Sequence, residues 1–353
     1  MAIPEAFYSS APGIMVDGET RDDLSDAIGT MVVNLGLRGC AHAELQVNNW
    51  GLPAGGQEPD FLFNDIAPGA AIEIHIGQPE PELIFSGEIT AVEEEYGQGA
   101  PQLTLLLQDK LHHMARKRRN RAYEEQSPDD IIQSLASDLG LQTDIQVSSI
   151  TDTWHQINES DLAFIQRLCQ RFDIFPRLTG EDFSTLRARP EATDSEPVSL
   201  NAQDNILHVR LIADLNHQPT HTVSQGYNLS SGEAVDYSSD SMTPAPESSS
   251  AASTLNDLSW DGEETIPQPF ARSQAEAEAY AKAHFRRLAK RFIQGEIACQ
   301  GMPRLTSGRE VELSGVSPRL QGLYQVVHCT HRFDRRSGFE THLKVNKSDW
   351  SPV

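Results

Sequence analysis

Positive charge is scarce in this chain. Its 353 residues hold 28 lysines and arginines against 51 acids, a formal net charge of −23, and a surface that negative repels nucleic acid and anionic membranes at long range while favouring solubility. Cysteine is scarce too. Cys40, Cys169, Cys299 and Cys329 lie far apart, with no CxxC pair and no histidine nearby at zinc-ligand spacing, which argues for buried free thiols rather than a disulfide or metal framework. No run of about eighteen apolar residues could span a membrane, and the opening "MAIPEAFYSSAPG" lacks a basic region followed by an apolar one, so we expect no secretory leader and synthesis in the cytosol. A GxSxG elbow, an HExxH pair and a Gly-rich phosphate loop are all missing, which removes the commonest signatures of hydrolases, zinc peptidases and nucleotide enzymes.

What is present is ordinary globular protein, 38% apolar and 22% charged, in a chain long enough for two or three domains. The first 110 residues read as strands. "AIEIHIG" puts Ile72, Ile74 and Ile76 on one face and Glu73 and His75 on the other, and "QLTLLLQD" repeats the pattern with Leu103, Leu105 and Leu107. Between them, "ELIFSGEITAVEEEYGQG" predicts a strand interrupted at Gly87 by a bulge or tight bend.

The pattern then turns helical. In "QSPDDIIQSLASDLGL", Ser127 is an N-cap, Pro128 opens the helix, Asp129 and Asp130 face its dipole, Gly140 stops it, and Ile131, Leu135 and Leu139 form a stripe. In "NESDLAFIQRLCQRF", Ser160 caps a second helix whose apolar face is Leu162, Ile165, Leu168, Cys169 and Phe172. β patterning returns near residue 200. The Ser-, Pro- and acid-rich stretch 228–268 has too few apolar residues to bury and predicts a flexible insertion. A helix over 273–292 follows, with a capping box at Ser273 and Glu276, and strands close the chain, "GLYQVVHCTHRF" and "GFETHLKVNK" joined by "DRRSG". Two β units flanking an α/β piece suggest an internal duplication.

The chemical candidates are weak. His328, His331, Asp334 and His342 are the nearest approach to a metal cluster, but His328 and His331 point to opposite faces of a strand. His112 and His113 are a weaker one. Cys169 lies on a buried stripe with no base beside it. The basic run Arg116, Lys117, Arg118, Arg119 and Arg121 has no aromatic platform for nucleic acid, and we expect it to be solvated or paired with acids of a neighbouring subunit. No catalytic, cofactor-binding or metal residue is assigned.

"LIFSGEITAVEEEY", then "LTLLLQDKLHHMARKRRNRAYEEQSPDDIIQSLASDLGL", then "NESDLAFIQRLCQRFDIFPRL", and last "GLYQVVHCTHRFDRRSGFETHLKV", in this order, resemble the phage late control protein D family, the central baseplate hub proteins of contractile tails. That family is related to the N-terminal part of the type VI secretion spike protein VgrG. The resemblance implies a mainly β fold with an α+β insertion, in which two tube-like β-barrel domains (1–112 and 198–353) are bridged by a small α/β domain (113–197) holding helices near 127–140 and 160–172 and a hairpin at 174–188. The helix at 160–172 would brace the two barrels.

It further implies a homotrimer that adapts a six-fold inner tube to a three-fold spike in a phage tail, tailocin or extracellular injection system. Its partners would be a tube or tube-initiator protein, a separate spike protein, since the chain ends at Val353, and baseplate wedge proteins. DNA or protein cargo would pass through an acidic channel without specific binding. No cofactor, enzymatic activity or membrane anchor is implied. Two other readings are a tail-associated peptidoglycan hydrolase, which needs carboxylates or metal ligands converging in a cleft, and a surface-binding module working through the insertion.

Overall fold

The structure, a computed structural model, describes residues 11–37, 39–53, 55–77, 80–180, 182–190, 196–243, 245–246 and 248–351, without the side chain of residue 267. The stretch read for a leader, Glu181 in the expected hairpin turn, and two positions of the 228–268 segment therefore lie outside the described residues. Among the described residues no helix is long and apolar enough to cross a membrane.

The N-terminal third comprises β1 (Gly13–Val16), β2 (Glu19–Thr20), α1 (Asp22–Ala27), β3 (Ile28–Gly36), β4 (His42–Asn48), β5 (Trp50–Gly51), β6 (Asp60–Phe61), β7 (Ala71–Ile76), β8 (Glu82–Glu95) and β9 (Gln102–Gln108). The middle holds α2 (His112–Ala115), β10 (Arg118–Gln126), α3 (Pro128–Ser137), β11 (Gln142–Ile145), β12 (Asp152–Ser160), α4 (Asp161–Gln170), β13 (Arg177–Thr179) and β14 (Thr185–Ala188). The remainder is β15 (Val198–Asn201), β16 (Ile206–Ala213), β17 (His221–Asn228), β18 (Glu233–Ser239), α5 (Ala251–Leu258), β19 (Glu263–Ala271), α6 (Gln274–Ala289), β20 (Ile293–Gln300), β21 (Glu310–Ser314), β22 (Gly322–Asp334) and β23 (Gly338–Lys347). The protein is mainly β with an α+β insertion.

Strand alternation does what it predicts. Ile72, Ile74, Ile76, Leu103, Leu105 and Leu107 are all buried in one core that spans both β units. Gly87 sits where β8 changes partner: residues 82–88 pair with β7 and residues 88–95 with β9, Glu88 facing both Ala71 and Gln108. A Cβ on Gly87 would lie 2.2 Å from the Gln108 carbonyl oxygen, so only glycine lets the backbones approach this closely.

The two units repeat one topology. The first runs β3-β4-β9-β8-β7-β1 and the second β16-β20-β23-β22-β21-β15. Numbered by appearance within each unit, with β2 and the smaller sheets set aside, both read 2-3-6-5-4-1. They differ at one edge, where β1 is antiparallel to β7 and β15 parallel to β21. The units are fused: β22 pairs with β3 from His328↔Gly36 to Asp334↔Thr30, making one 13-stranded sheet.

The β units meet directly through β3 and β22, and α4 lies in a second core with residues of α2, α3, β10, β12, β18, β19 and α6. The stretch 228–268 is also part of the fold. β18 and β19 flank β17, Val235 and Ile266 are buried in the second core, and the Trp350 and Ser248 amides, donating to Ser249 O at 3.1 Å and to Asp349 Oδ2 at 3.0 Å, fasten α5 to the C-terminal strand's end. Few apolar residues suffice because α6 and the insertion cover them.

Two details of the helices also differ. Leu139 lies beyond the end of α3 and is exposed, because Gly140 in the left-handed region (φ 67) turns the chain away, while Ile132 joins Ile131 and Leu135 in the core. At α6, Ser273 accepts from the Glu276 amide at 3.2 Å as expected, but the Glu276 carboxylate takes the amide of Arg272 at 2.7 Å rather than that of the cap residue.

Candidate functional site

The "NESD" residues are wired into the fold, and Glu159 also lines a cleft with His155, Arg167 and Arg171. Ser160 caps α4, accepting from the Ala163 amide at 3.2 Å. Asp161 is buried and accepts from Gln156 Nε2 at 2.8 Å, with Arg119 Nη2 at 3.1 Å. Arg118 Nη1 donates to the Asn158 carbonyl at 2.7 Å. These two members of the basic run bind within their own chain, since a strand (β10) placed antiparallel to β12 carries them to the start of α4, while Arg118 stays exposed.

Cys169 is fully buried, and burial pushes its thiol far above the ordinary range, the opposite of a nucleophile's environment. The C-terminal histidines do not converge either. His331 is fully buried, with Nδ1 3.1 Å from Thr341 Oγ1 and Nε2 3.0 Å from Leu305 O. His342 pairs with Glu340 at 3.1 Å, and Asp334 caps the hairpin turn by accepting from the Arg336 and Ser337 amides at 2.7 Å. His112 and His113 do come together, on Glu88, a residue no motif singles out; its pairing depends on where β8 crosses between sheets.

The remaining candidate site is a set of strand edges. β22 uses one side for β23 and divides the other between β21 (322–325) and β3 (328–334). β8 is its counterpart, with β9 on one side and β7 on the other as far as Glu88. Residues 89–95 of β8 have no strand partner on the β7 side among the described residues, and Glu93, Glu94 and Glu95 are all exposed. β16 is the counterpart of β3. It pairs with β20 alone, ends the sheet, and exposes Leu207 and Ile212, each 56% accessible. An edge of this length with apolar side chains is a template for another strand.

The family model for the Alg8 N-terminal domain matches residues 20–334. The chain belongs to that family. The comparison with curated proteins finds no match. Among solved structures, the 43 kDa tail protein of prophage MuSo2 from Shewanella oneidensis superposes with a TM-score of 0.72 at 12% identity, over 96% of this chain and 99% of that one. A tail protein from Neisseria meningitidis gives 0.69 at 11% identity, over 97% and 98%. An Escherichia coli protein described as a component of the type VI secretion system gives 0.62 at 11% identity, over 96% and 79%. At such identities the likeness is one of fold: this chain has a tail-protein fold along nearly its whole length.

Proposed function

We propose that the protein is the central hub of a contractile injection machine, a structural, non-enzymatic homotrimer joining an inner tube to a separate spike. The observation that carries this reading is the repeated strand order together with the seam inside each chain. In that seam, seven residues of β22 in the second unit hold β3 of the first. The equivalent segment of the first unit is 89–95 of β8, and the equivalent of β3 is β16. If β16 of one copy pairs with β8 of the next, the same joint recurs between chains, and three copies close six like units into a ring by a head-to-tail interface. Six near-equivalent units suit a six-fold tube, and three chains suit a three-fold spike.

The fold likeness to tail proteins and to a type VI secretion component supports this reading, as does an order of motifs that resembles late control protein D. A chain solved in a Francisella PdpA–VgrG complex adds to it, with a TM-score of 0.55 over 97% of this chain and 54% of that one, at 10% identity. The tube, spike and baseplate wedges are the partners, and the assembled particle is the place of action. Three chains of −23 each would give cargo an acidic, non-adhesive channel.

Cysteine scanning tests the interface. Single cysteines along Leu207–Ile212 paired with single cysteines along Glu93–Glu95 should give disulfides between chains, forming a ladder that ends at three. Cross-links absent at every pairing, or found only within one chain, would contradict the proposal.

A further inference from the structure

The hub reading makes no use of one side-chain cluster. Glu88 stands at the crossing of β8 from β7 to β9. Just after β9, the buried carboxylate of Asp109 accepts from the Ala41 amide at 2.7 Å and the Leu111 amide at 3.0 Å, which fixes where the single turn of α2 begins. From that turn His112 and His113 both reach Glu88. Nε2 of His112 lies 3.1 Å from Oε2, Nε2 of His113 lies 2.9 Å from Oε1, and the two rings are 4.0 Å apart. Neighbours on a helix diverge by about 100°, so this convergence is imposed by the way the turn is held against the strand.

The three ligating atoms all lie within 4.8 Å of one another. Around a tetrahedral zinc ion with bonds of about 2.0–2.1 Å, ligand atoms sit about 3.3 Å apart, so shifts of a few tenths of an ångström would admit the ion between atoms now 2.9 and 3.1 Å apart. Two imidazoles and one carboxylate form a three-residue donor set that suits zinc and other borderline divalent ions, with an open position for water. His112 is 6% exposed at the side chain, whereas His113 at 37% and Glu88 at 26% leave that position facing solvent.

We propose that Glu88, His112 and His113 bind one divalent transition-metal ion, zinc by the chemistry of the donors, which pins the start of the α/β insertion to the first β unit. The site is independent of the hub reading, and either can fail alone.

The test uses the full-length chain stripped with a chelator and titrated with zinc chloride by calorimetry, with cobalt(II) as an optical probe. Glu88→Gln keeps the side chain's shape and His113→Ala alters a partly exposed one, so both variants should fold, which urea midpoints without metal check. The wild type should bind one ion per chain, gain visible cobalt d–d bands and melt at a higher temperature with zinc. Each variant should bind at least about 10- to 100-fold more weakly and lose the bands and the melting shift. A wild type that binds no zinc, or variants that bind as the wild type does, would overturn the proposal and leave a hydrogen-bonded His–Glu cluster only.

Discussion

Asp173 ties the end of α4 to the end of α6. Its side chain is 2% exposed and receives Arg286 Nε at 3.1 Å, with Lys290 Nζ at 3.9 Å, while Arg286 Nη2 also donates to the Phe172 carbonyl at 2.7 Å. Removing one member of a buried ion pair strands the other, at about 3–5 kcal/mol. Asn keeps the shape and one acceptor, and Arg286, 19% exposed, can recruit water, so Asp173→Asn should cost about 3 kcal/mol, the low end of that range. Asp173 also has a left-handed backbone, φ 56, which Asp and Asn tolerate and alanine does not. Asp173→Ala should therefore lose a further 1 kcal/mol or so. Urea unfolding measures the totals, and hydrogen exchange locates the loss. Amides of α4 and α6, which share the second core, should lose protection while those of β3 and β22 in the first core keep theirs. A loss below about 0.5 kcal/mol for both variants, within the usual scatter of surface changes, or equal loss of protection in β3 and β22, would refute the reasoning.

Gly87→Ala should destabilise by about 1–3 kcal/mol or more, read as a lowered urea midpoint, because its Cβ meets the Gln108 carbonyl; a neutral result would mean that the crossing of β8 is loose. Leu207→Asp with Ile212→Asp should leave the melting temperature of the single chain unchanged and abolish its self-association, read by light scattering. Acid should act through two buried groups of opposite sign. Burial pushes His331 down to about 4, only partly offset by its hydrogen bond with Leu305, so between about pH 6.5 and 4 the unfolded chain binds the proton the fold refuses and stability falls. Burial pushes Asp109 up to about 6 despite hydrogen bonds from Ala41, Leu111 and Cys40, so as pH drops through 6 towards 3.8 the fold binds the proton first and stability rises. Asp109→Asn should remove the second effect, making acid destabilisation over this window steeper than in the wild type by about 3 kcal/mol; identical pH slopes would contradict the Asp109 assignment.

The parts of the fold visible in sequence are those with a local cause. Alternation at 72–76 and 103–107 marks strands because one face meets a core, and Ser127 and Ser160 mark helix starts because their hydroxyls accept from the Asp130 and Ala163 amides. What stayed hidden depends on distant partners. The seam of β22 with β3 joins Asp334 to Thr30, and nothing in either strand names the other. Val235 and Ile266 look too sparse to fold until α6 and the insertion cover them. The pairing of Arg119 with Asp161 is not visible in sequence because α3, β11 and β12 separate the two residues. Glu88 is separated from His112 by a hairpin, so the histidine pair read alone looks inert.

The most direct test of the hub account is the number of chains in the native particle, measured by native mass spectrometry of the full-length protein across a concentration series and in the presence of its tube and spike. The account predicts three chains per particle, and loss of the trimer when Leu207 and Ile212 carry charge. A particle that stays a single chain under all these conditions, or assembles in pairs, would contradict it.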